Sequence, residues 1–396
     1  MLDTTHELIK RVGQKIGLSE DQVVAILKPE AVHEFEVKLG TTSYKAFRSQ
    51  HNNKLGPYKG GLRFHPKVTR DEAVALSTLM SMKTAAVGLP LGGGKGGIAV
   101  DPTSLSPAEL EDISRQFVRH LQDHIGPDKD IPAPDVNTNA QIIDWMVDEY
   151  HAVTGDTNGA SFTGKSLKNG GSQGRQAATG RGGVMALAEY LELNGQADKP
   201  LKVAIQGFGN VGAFFADVAQ ATQPNWQIVA VSDSRATITS QDLPIAELIT
   251  WKGQGKSFKD FQGSPTGPAD DIFHTEADIL VLAALDHAIT EANMHSIKSG
   301  VILELANGPV DTMAEEFLTS QNVVIIPDII ANAGGVIVSY LEWQQNRANE
   351  SWSEAEVNKK LEAYIRPAMK TTYQVAKEQK MTLKEAAIAR ALKRLV

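Results

Sequence analysis

The stretch LKVAIQGFGNVG, residues 201–212, decides the fold of this chain. Its apolar run ends in the spacing G-x-G-x-x-G, formed by Gly207, Gly209 and Gly212. A helical pattern follows over about 211–222, and WQIVAVSDS then predicts a second strand. Strand, glycine turn, helix and strand form a βαβ unit. In a parallel sheet, such a unit binds a dinucleotide at its glycine turn.

Each glycine of this turn has a separate task. Gly207 allows the sharp turn, Gly209 lets backbone N–H groups approach a pyrophosphate, and Gly212 lets helix and strand pack closely. The N-terminus of the helix adds partial positive charge. We expect the neighbouring Asn210 and Val211 to contact the cofactor as well.

The residues after the second strand bear on the choice of cofactor. Asp233 stands where an acid would bind the hydroxyls of the adenosine ribose, and it would repel a 2′-phosphate there. Arg235, two residues later, could bind a 2′-phosphate through its guanidinium fork. We expect Asp233, Ser234 and Arg235 all to lie at the cofactor. Because the signals conflict, NAD and NADP both stay open.

The remaining apolar runs extend this unit into an α/β chain of two domains. ADILVLAAL (277–285), GVILELA (300–306) and NVVIIPD (322–328) predict buried parallel strands, and such a sheet must be doubly wound. The Gly/Ser-rich segment 161–175 separates the domains. We expect residues 176–369 to form a Rossmann-type domain that binds NAD or NADP. Residues 1–175 would form a mixed-sheet α/β domain for substrate binding and oligomerisation, with a C-terminal helix over about 370–396 packing back on it.

The first domain alternates helices and strands. Thr69 and Glu72 form a capping-box pattern at the start of a strong helix. The predicted elements are two short helices over 1–30, a strand over 31–39, a helix over 69–88, a strand over 96–100, helices over about 107–125 and 139–152, and a proline-rich loop over 126–138.

Composition limits the function. The chain has 396 residues, a net charge of −8 and no cysteine. The charge makes nucleic acid and anionic membranes poor partners, and the lack of cysteine excludes disulfides and thiolate sites. His120 and His124 share a helix face, but the residues between them lack the glutamate of a zinc-protease helix, so we expect no metal. The polar start and the lack of any long apolar run predict a cytoplasmic protein.

Residues 88–97, GLPLGGGKGG, resemble a phosphate-binding loop only superficially. Leu89 stands where that motif requires glycine, and Gly96 stands where it requires Ser or Thr. We therefore expect a glycine-rich turn that presents Lys95. Lys59 and Lys83 also have unusual surroundings, and lysine is seldom buried unless it is paired. The three lysines together predict a pocket for an anion.

Six segments carry a resemblance to a known family. They are GPYKGGLRFHP, MSMKTAAVGLPLGGGKGGI, DIPAPDVNT, TGKSLKNGGSQGRQAATGRGG, QGFGNVG and ANAGGVIVSYLEW. Their order resembles that of the glutamate dehydrogenases in the Glu/Leu/Phe/Val amino-acid dehydrogenase family, over roughly residues 30 to 350. The resemblance implies reversible oxidative deamination of L-glutamate to 2-oxoglutarate and ammonium, with hydride transfer to NAD or NADP. It also favours a homohexamer.

The resemblance further implies roles for matching residues. Lys83 would bind the substrate α-carboxylate, and Lys59 with Ser339 would bind the side-chain carboxylate. Lys95 would be the amine that assists water attack on the imino intermediate, and Asp135 would be the carboxylate that transfers protons. Thr179 and Asn307 match positions beside the nicotinamide, and Asn332 is expected to bind the cofactor.

Two positions depart from the family pattern. Leu282 stands where the family commonly has proline, and Leu305 stands where it commonly has glycine. Both are expected beside the cofactor, so they bear on nicotinamide geometry. In relatives that act on leucine or phenylalanine, the counterparts of Lys59 and Ser339 are typically apolar, which favours glutamate here. A dehydrogenase of another amino acid and a catalytically silent, cofactor-binding regulatory paralogue stay open as alternatives.

Overall fold

The computed structural model describes the backbone of residues 2–396 and the side chains of residues 5–396. The chain divides into two compact units. The first comprises residues up to Arg175, residues 336–360 and residues 388–396, and the second comprises 176–335 and 361–387. The division differs from the predicted ranges at the C-terminal end. Residues 336–360 belong to the first unit, and so do only the last nine residues of the predicted helix over 370–396.

The first unit is built on a mixed sheet, as predicted. Its strand order is β1-β2-β4-β3-β5; β2 is antiparallel to both of its neighbours, whereas β4, β3 and β5 are parallel. One apolar core joins Leu62 and Ile98 of the sheet to Phe117 and Met146 of two helices. The elements are α1 (Leu2–Lys15), α2 (Glu20–Leu27), β1 (Ala31–Leu39), β2 (Thr42–Asn52), β3 (Tyr58–Phe64), α3 (Arg70–Ala86), β4 (Gly93–Ile98), α4 (Pro107–Leu121), β5 (Asp130–Pro134) and α5 (Ala140–Thr154).

Two strands extend into segments predicted as turn or loop. The strand predicted over 96–100 is present as β4, but it begins earlier and covers Gly93–Ile98, and the proline-rich stretch predicted as a loop contains β5 over Asp130–Pro134. Neither has an apolar alternation that would mark it as a strand. Both strands instead pair with β3, which was not predicted. The ladder hydrogen bonds of neighbouring strands stabilise them where the local sequence signal is weak.

The second unit has the predicted doubly wound sheet. Its strand order is β12-β11-β10-β6-β7-β8-β9, parallel from β12 to β7, with β8 and β9 antiparallel at one edge. The elements are α6 (Ala178–Leu193), β6 (Leu201–Gln206), α7 (Asn210–Thr222), β7 (Trp226–Ser232), β8 (Thr237–Thr239), α8 (Ile245–Gly253), β9 (Thr266–Gly267), β10 (Ile279–Leu282), β11 (Val301–Glu304), α9 (Thr312–Ser320), β12 (Val324–Ile326) and α10 (Asp328–Ala331).

Three C-terminal helices complete the chain and contribute to both units. They are α11 (Gly334–Ala348), α12 (Glu354–Gln379) and α13 (Leu383–Leu395). From Val336 onward, α11 belongs to the first unit, where the Glu342 carboxylate accepts a hydrogen bond from the Gly164 N–H at 2.9 Å. The two partners of this contact are 178 residues apart in sequence, so a local pattern does not reveal it. None of the helices within residues 2–396 combines the length and apolar character needed to cross a membrane.

Candidate active site

An ion pair between Lys95 and Asp135 lies at the centre of the candidate site. Lys95 is on β4 and Asp135 directly follows β5, with β3 between these two strands. The side chains meet across Gly61 of β3, where a Cβ atom would lie 2.7 Å from the Asp135 Cβ. The Lys95 Nζ contacts the Asp135 Oδ2, and the two side chains are only 12% and 16% exposed. The structure therefore brings together both residues predicted to be catalytic.

Nearby charges keep Asp135 ionised. Burial raises the pKa of its carboxyl, but the charges of Lys95 and Arg63 outweigh burial, so the pKa is lowered. The Arg63 Nη2 lies 3.8 Å from the Asp135 Oδ1, and the Val136 N–H donates a hydrogen bond to the same oxygen at 2.8 Å. A carboxylate held next to an amine can accept a proton from a reacting group and return it later, as general acid–base catalysis requires.

The glycines around Lys95 let strands approach one another. A Cβ atom at Gly96 would lie 2.2 Å from the Phe47 carbonyl oxygen on β2, and one at Gly60 would lie 1.6 Å from the Gly94 oxygen. No glycine of β4 has a positive φ, whereas Gly88 has φ +83° and does form a turn after α3. The predicted turn is therefore confined to the start of the stretch. Lys95 projects from a strand whose backbone is fixed on both sides.

Lys59 is the most deeply buried of the three predicted lysines, with 1% exposure. Its Nζ donates a hydrogen bond to the Ile131 carbonyl oxygen at 3.2 Å. Burial, followed by the charges of Arg175 and Arg48, lowers the pKa of Lys59 well below its ordinary value, although two nearby carboxylates act in the opposite direction. An incoming anionic group would relieve this unfavourable environment for the ammonium form.

Two buried ion pairs that the sequence did not predict support this part of the unit. The Arg48 Nε donates to the Asp130 Oδ2 at 2.8 Å, and a second guanidinium nitrogen contacts Oδ1. The Lys165 Nζ lies 2.8 Å from the Glu342 Oε1. All four side chains are fully buried. The partners are 82 and 177 residues apart in sequence, so no local pattern reveals them.

Ser339, Lys83 and Arg175 complete the charged and polar groups of the site. Ser339 is 2% exposed and lies on α11 one turn before Glu342, whose charge acts on Lys59. Lys83 lies in the last turn of α3 and is partly buried. Arg175 has no role in the sequence prediction, yet its charge is the largest contribution after burial to the lowered pKa of Lys59. The only sequence feature that could have indicated this role is the position of a lone arginine in a glycine-rich segment.

The glycine turn after β6 fits a pyrophosphate. Gly207 has φ +89°, and a Cβ atom at Gly212 would lie 2.0 Å from the Gly207 oxygen. Gly209 has open space around its Cβ position and begins α7 without a side-chain cap. Asn210 and Val211 form the first residues of that helix, whose N-terminal N–H groups can bind phosphate. The residues present therefore fit the dinucleotide predicted from the sequence.

The residues predicted at the nicotinamide and Asn332 lie close together in the second unit. The Asn332 Nδ2 donates to the Asn307 Oδ1 at 3.0 Å and to the Ala306 carbonyl oxygen at 3.2 Å. A Cβ atom at Gly334, two residues after Asn332, would lie 3.3 Å from the Thr179 Cα. The fold therefore brings together residues from three separate stretches of the sequence.

The two departures from the family pattern are packed in the apolar core. Leu282 is fully buried and Leu305 is 3% exposed. A Cβ atom at Gly183 would lie 2.5 Å from the Leu305 Cδ2, so Leu305 occupies the space that this glycine leaves on α6. Asn307, two residues after Leu305, accepts a hydrogen bond from Asn332.

The two histidines predicted to share a helix face do not lie on one helix, because α4 ends at Leu121 and His124 follows it in a turn. Both rings make aromatic contacts. The ring of His120 stacks on Phe35 with 4.6 Å between centroids, and the rings of His124 and His33 lie 4.1 Å apart. Among the described side chains, those of residues 5–396, no group of three or more His, Asp or Glu is arranged to hold a metal ion.

Comparison with known proteins identifies the family. The model described as Glutamate/Leucine/Phenylalanine/Valine dehydrogenase matches residues 170–396, and the Glu/Leu/Phe/Val dehydrogenase dimerisation domain matches residues 29–152. The chain is 39% identical to the NAD-specific glutamate dehydrogenase of Peptoniphilus asaccharolyticus, over 99% of this chain and 96% of that protein. It is 41% identical to the NADP-specific glutamate dehydrogenase A1 of Halobacterium salinarum, over 92% and 89%.

Solved structures give the same result. The crystal structure of glutamate dehydrogenase from P. asaccharolyticus has a TM-score of 0.89 at 37% identity, covering 100% of this chain and 97% of that one. A hetero-hexameric glutamate dehydrogenase from Thermus thermophilus, in a Leu-bound form, has a TM-score of 0.91 at 31% identity, with 99% and 94% coverage. Since sequence and fold agree over nearly the full length, the chain belongs to the Glu/Leu/Phe/Val dehydrogenase family.

Proposed function

We propose that this chain is a glutamate dehydrogenase, which converts L-glutamate reversibly to 2-oxoglutarate and ammonium with NAD or NADP. The observation that carries the proposal is the contact of Lys95 with an ionised Asp135 in a unit that also holds the buried amine of Lys59. Several similar proteins are named glutamate dehydrogenases, which supports the same substrate.

The substrate carboxylates are bound by cations of the first unit. Lys83 binds the α-carboxylate, and Lys59 with Ser339 binds the side-chain carboxylate. The two buried ion pairs hold the backbone around these groups, so the carboxylates enter a fixed arrangement of charge. This fixed geometry positions the substrate Cα–H bond for hydride loss.

Proton transfer follows hydride loss. The bound nicotinamide supplies the hydride acceptor, and oxidation converts the substrate amine to an iminium. Lys95 and Asp135 assist attack of water on the iminium carbon by accepting a water proton. They return that proton to the nitrogen, and they accept the hydroxyl proton as the carbonyl bond forms, the C–N bond breaks and ammonia leaves. Because Asp135 is ionised, the pair can accept the proton at neutral pH.

Nicotinamide absorbance tests this function directly. With glutamate and each oxidised cofactor, we expect absorbance of the reduced nicotinamide to rise. With 2-oxoglutarate, ammonium and each reduced cofactor, we expect it to fall. A panel of other amino acids should give lower kcat/KM than glutamate. Turnover of an apolar amino acid in preference to glutamate would contradict the proposal that glutamate is the substrate. If no amino acid is turned over, the chain would instead be the catalytically silent regulatory paralogue.

Replacing Lys59 by methionine should change substrate preference. The variant loses a buried charge opposite the side-chain carboxylate, so we expect kcat/KM for glutamate to fall about a hundredfold or more. Activity on norleucine, which has no second carboxylate, should fall far less. Methionine matches the length of the lysine stem, and burial already disfavours the lysine charge, so the melting temperature should not fall. Equal losses on both substrates would argue against the assigned role.

Measuring proton uptake shows whether Lys59 recognises the charge of the side-chain carboxylate or only fits the shape of the substrate. Because the pKa of Lys59 is lowered in the free protein, the amine is partly or wholly neutral above that pKa. Binding of a dicarboxylate favours the ammonium form, so binding should take up a proton and weaken as pH rises. Calorimetry of glutarate in buffers of different ionisation enthalpy measures this uptake. The methionine variant should show none; an unchanged uptake would place the proton elsewhere.

We also propose that the chain forms a homohexamer in the cytoplasm. The similar protein from T. thermophilus is named a hetero-hexamer, and one family model that matches this chain describes a dimerisation domain. Light scattering on the purified chain alone would give about six times the mass of one chain, 42.7 kDa, if the proposal holds. A stable monomer or dimer would contradict it.

A further inference from the structure

Asp233 lies at the end of the sheet where a dinucleotide-binding fold holds the adenosine ribose. It directly follows β7, and the N–H groups of Gly207 and Phe208 both donate to the Ser232 carbonyl oxygen, at 3.0 and 2.9 Å. Asp233 is therefore next to the glycine turn. An acid at this position usually accepts hydrogen bonds from the ribose hydroxyls and repels a 2′-phosphate, which favours NAD.

The Asp233 carboxylate is already fully hydrogen-bonded within the chain. Its Oδ1 accepts from the N–H groups of Arg235 at 2.9 Å and Ala236 at 3.1 Å. Its Oδ2 accepts from the Lys252 Nζ and the Phe258 N–H, both at 2.8 Å. A carboxylate has about four acceptor positions, so all are used. With its side chain only 8% exposed, Asp233 has no acceptor left for a ribose hydroxyl.

The motif predicts a negative charge at the sheet edge beside Asp233, but the groups there carry a net positive charge. Lys252 pairs with Asp233 and cancels its negative charge, while 23% of the Lys252 side chain stays exposed. A lysine ammonium has three donors, of which one goes to Asp233. Arg235 and Ser234 are both exposed beside the same carboxylate. One carboxylate and two cations leave a net charge of about +1, which attracts an anion.

We propose that this edge of the second unit is a binding subsite for the 2′-phosphate of NADP, formed by Lys252 and Arg235. Asp233 is a positioning residue in it, because it holds Lys252 and the turn that carries Arg235 and does not bind the ribose itself. The chain therefore prefers NADP to NAD. This inference deepens the proposed function, on which it rests for the use of a nicotinamide dinucleotide.

Two adenosine fragments test the subsite without any hydride transfer. Adenosine 2′,5′-bisphosphate and adenosine 5′-monophosphate differ only by the 2′-phosphate, and calorimetry gives the dissociation constant of each. We expect the bisphosphate to bind about tenfold more tightly or better, as a charge-assisted contact to phosphate provides. The preference should shrink at high salt. Equal affinity for the two fragments would overturn the subsite.

Variants assign the preference to particular residues. Lys252→Gln and Arg235→Gln should each lower bisphosphate affinity about fivefold to tenfold and leave monophosphate affinity unchanged. Lys202→Gln is the matched control, since Lys202 is an exposed lysine near the start of β6, at the opposite end of that strand from the glycine turn; both affinities should stay unchanged. If the first two variants lower the affinity for both fragments equally, Lys252 and Arg235 do not bind the 2′-phosphate.

An Asp233→Asn variant distinguishes positioning from ribose binding. If Asp233 positions Lys252, the variant should weaken bisphosphate binding, because an amide no longer pairs with the lysine. If Asp233 binds ribose and repels phosphate, the same variant should strengthen bisphosphate binding and weaken monophosphate binding, which would overturn the proposal. Glutamate oxidation is measured separately. If the enzyme oxidises glutamate but binds both fragments equally well, only the proposed subsite is refuted. If it prefers the bisphosphate but does not oxidise glutamate, only the proposed function is refuted.

Discussion

A Lys95→Ala variant is expected to lose about a thousandfold or more in kcat, which is the range for removing a general acid–base group and a charge at the reacting centre. The amine is in direct contact with Asp135, so its removal takes away both a proton carrier and the partner that keeps the carboxylate ionised. Steady-state kinetics by nicotinamide absorbance measures the loss. Cofactor binding, followed by calorimetry, should be unchanged, because the glycine turn lies in the other unit.

Asp135→Asn provides the matched comparison. Because Lys95 and Asp135 act as one proton-transfer pair, the double variant should lose about as much activity as the worse single variant. Losses that multiply would show that the two residues act independently. A small primary amine added to the Lys95→Ala enzyme should restore part of kcat. A Lys95→Ala enzyme with near-normal kcat would refute the assigned role altogether.

The fold of the second unit follows from sequence because its signals are local. The parallel strands are buried on both faces, so each is a nearly continuous apolar run, and the glycine spacing marks the turn between the first strand and its helix. The predicted runs at 277–285, 300–306 and 322–328 contain β10, β11 and β12. The antiparallel edge strands β8 and β9 are three and two residues long and leave no comparable pattern.

The first unit was harder to predict because its central strands are polar or rich in glycine. On β2, four consecutive buried positions are Arg48, Ser49, Gln50 and His51, so the apolar alternation of a strand is missing. Their side chains form hydrogen bonds to residues far away in sequence, such as Asp130 and Ser77. The resemblance predicted the catalytic and substrate residues, but the ion pairs close to them depend on tertiary contacts and could not be predicted.

Asp233 shows the opposite case, in which a correct motif suggests a contact for which the carboxylate has no acceptor position left. Asp233 stands where the motif places a ribose-binding acid, yet four donors of the chain itself surround its carboxylate. One of these is Lys252, which lies 19 residues later. A motif records residue type and spacing, whereas the capacity of a carboxylate to bind a ligand depends on which of its acceptor positions are still available.

Breaking the buried pair of Arg48 and Asp130 should strongly destabilise the protein. Asp130→Leu would leave the Arg48 guanidinium buried without a counter-charge, and Arg48→Met would leave the Asp130 carboxylate buried in the same way. We expect either change to lower the free energy of unfolding by about 3–5 kcal/mol. Urea unfolding followed by circular dichroism, at one protein concentration, measures the change. The exposed Arg70, whose guanidinium lies 3.7 Å from Asp71, provides the control: Arg70→Met should cost about 0.5 kcal/mol or less.

The double variant Arg48→Met with Asp130→Leu distinguishes two explanations for the loss of stability in the single variants. Either the ion pair itself stabilises the fold, or the loss comes from leaving one buried charge without its partner. Neither replacement carries a charge, so the desolvation penalty of both groups disappears and most of the lost stability should return. Gln50 also donates to the Asp130 Oδ2, at 2.9 Å, and its amide loses that acceptor, so recovery should stay incomplete by about 1–3 kcal/mol. Single variants as stable as the parent would contradict this account of the pair.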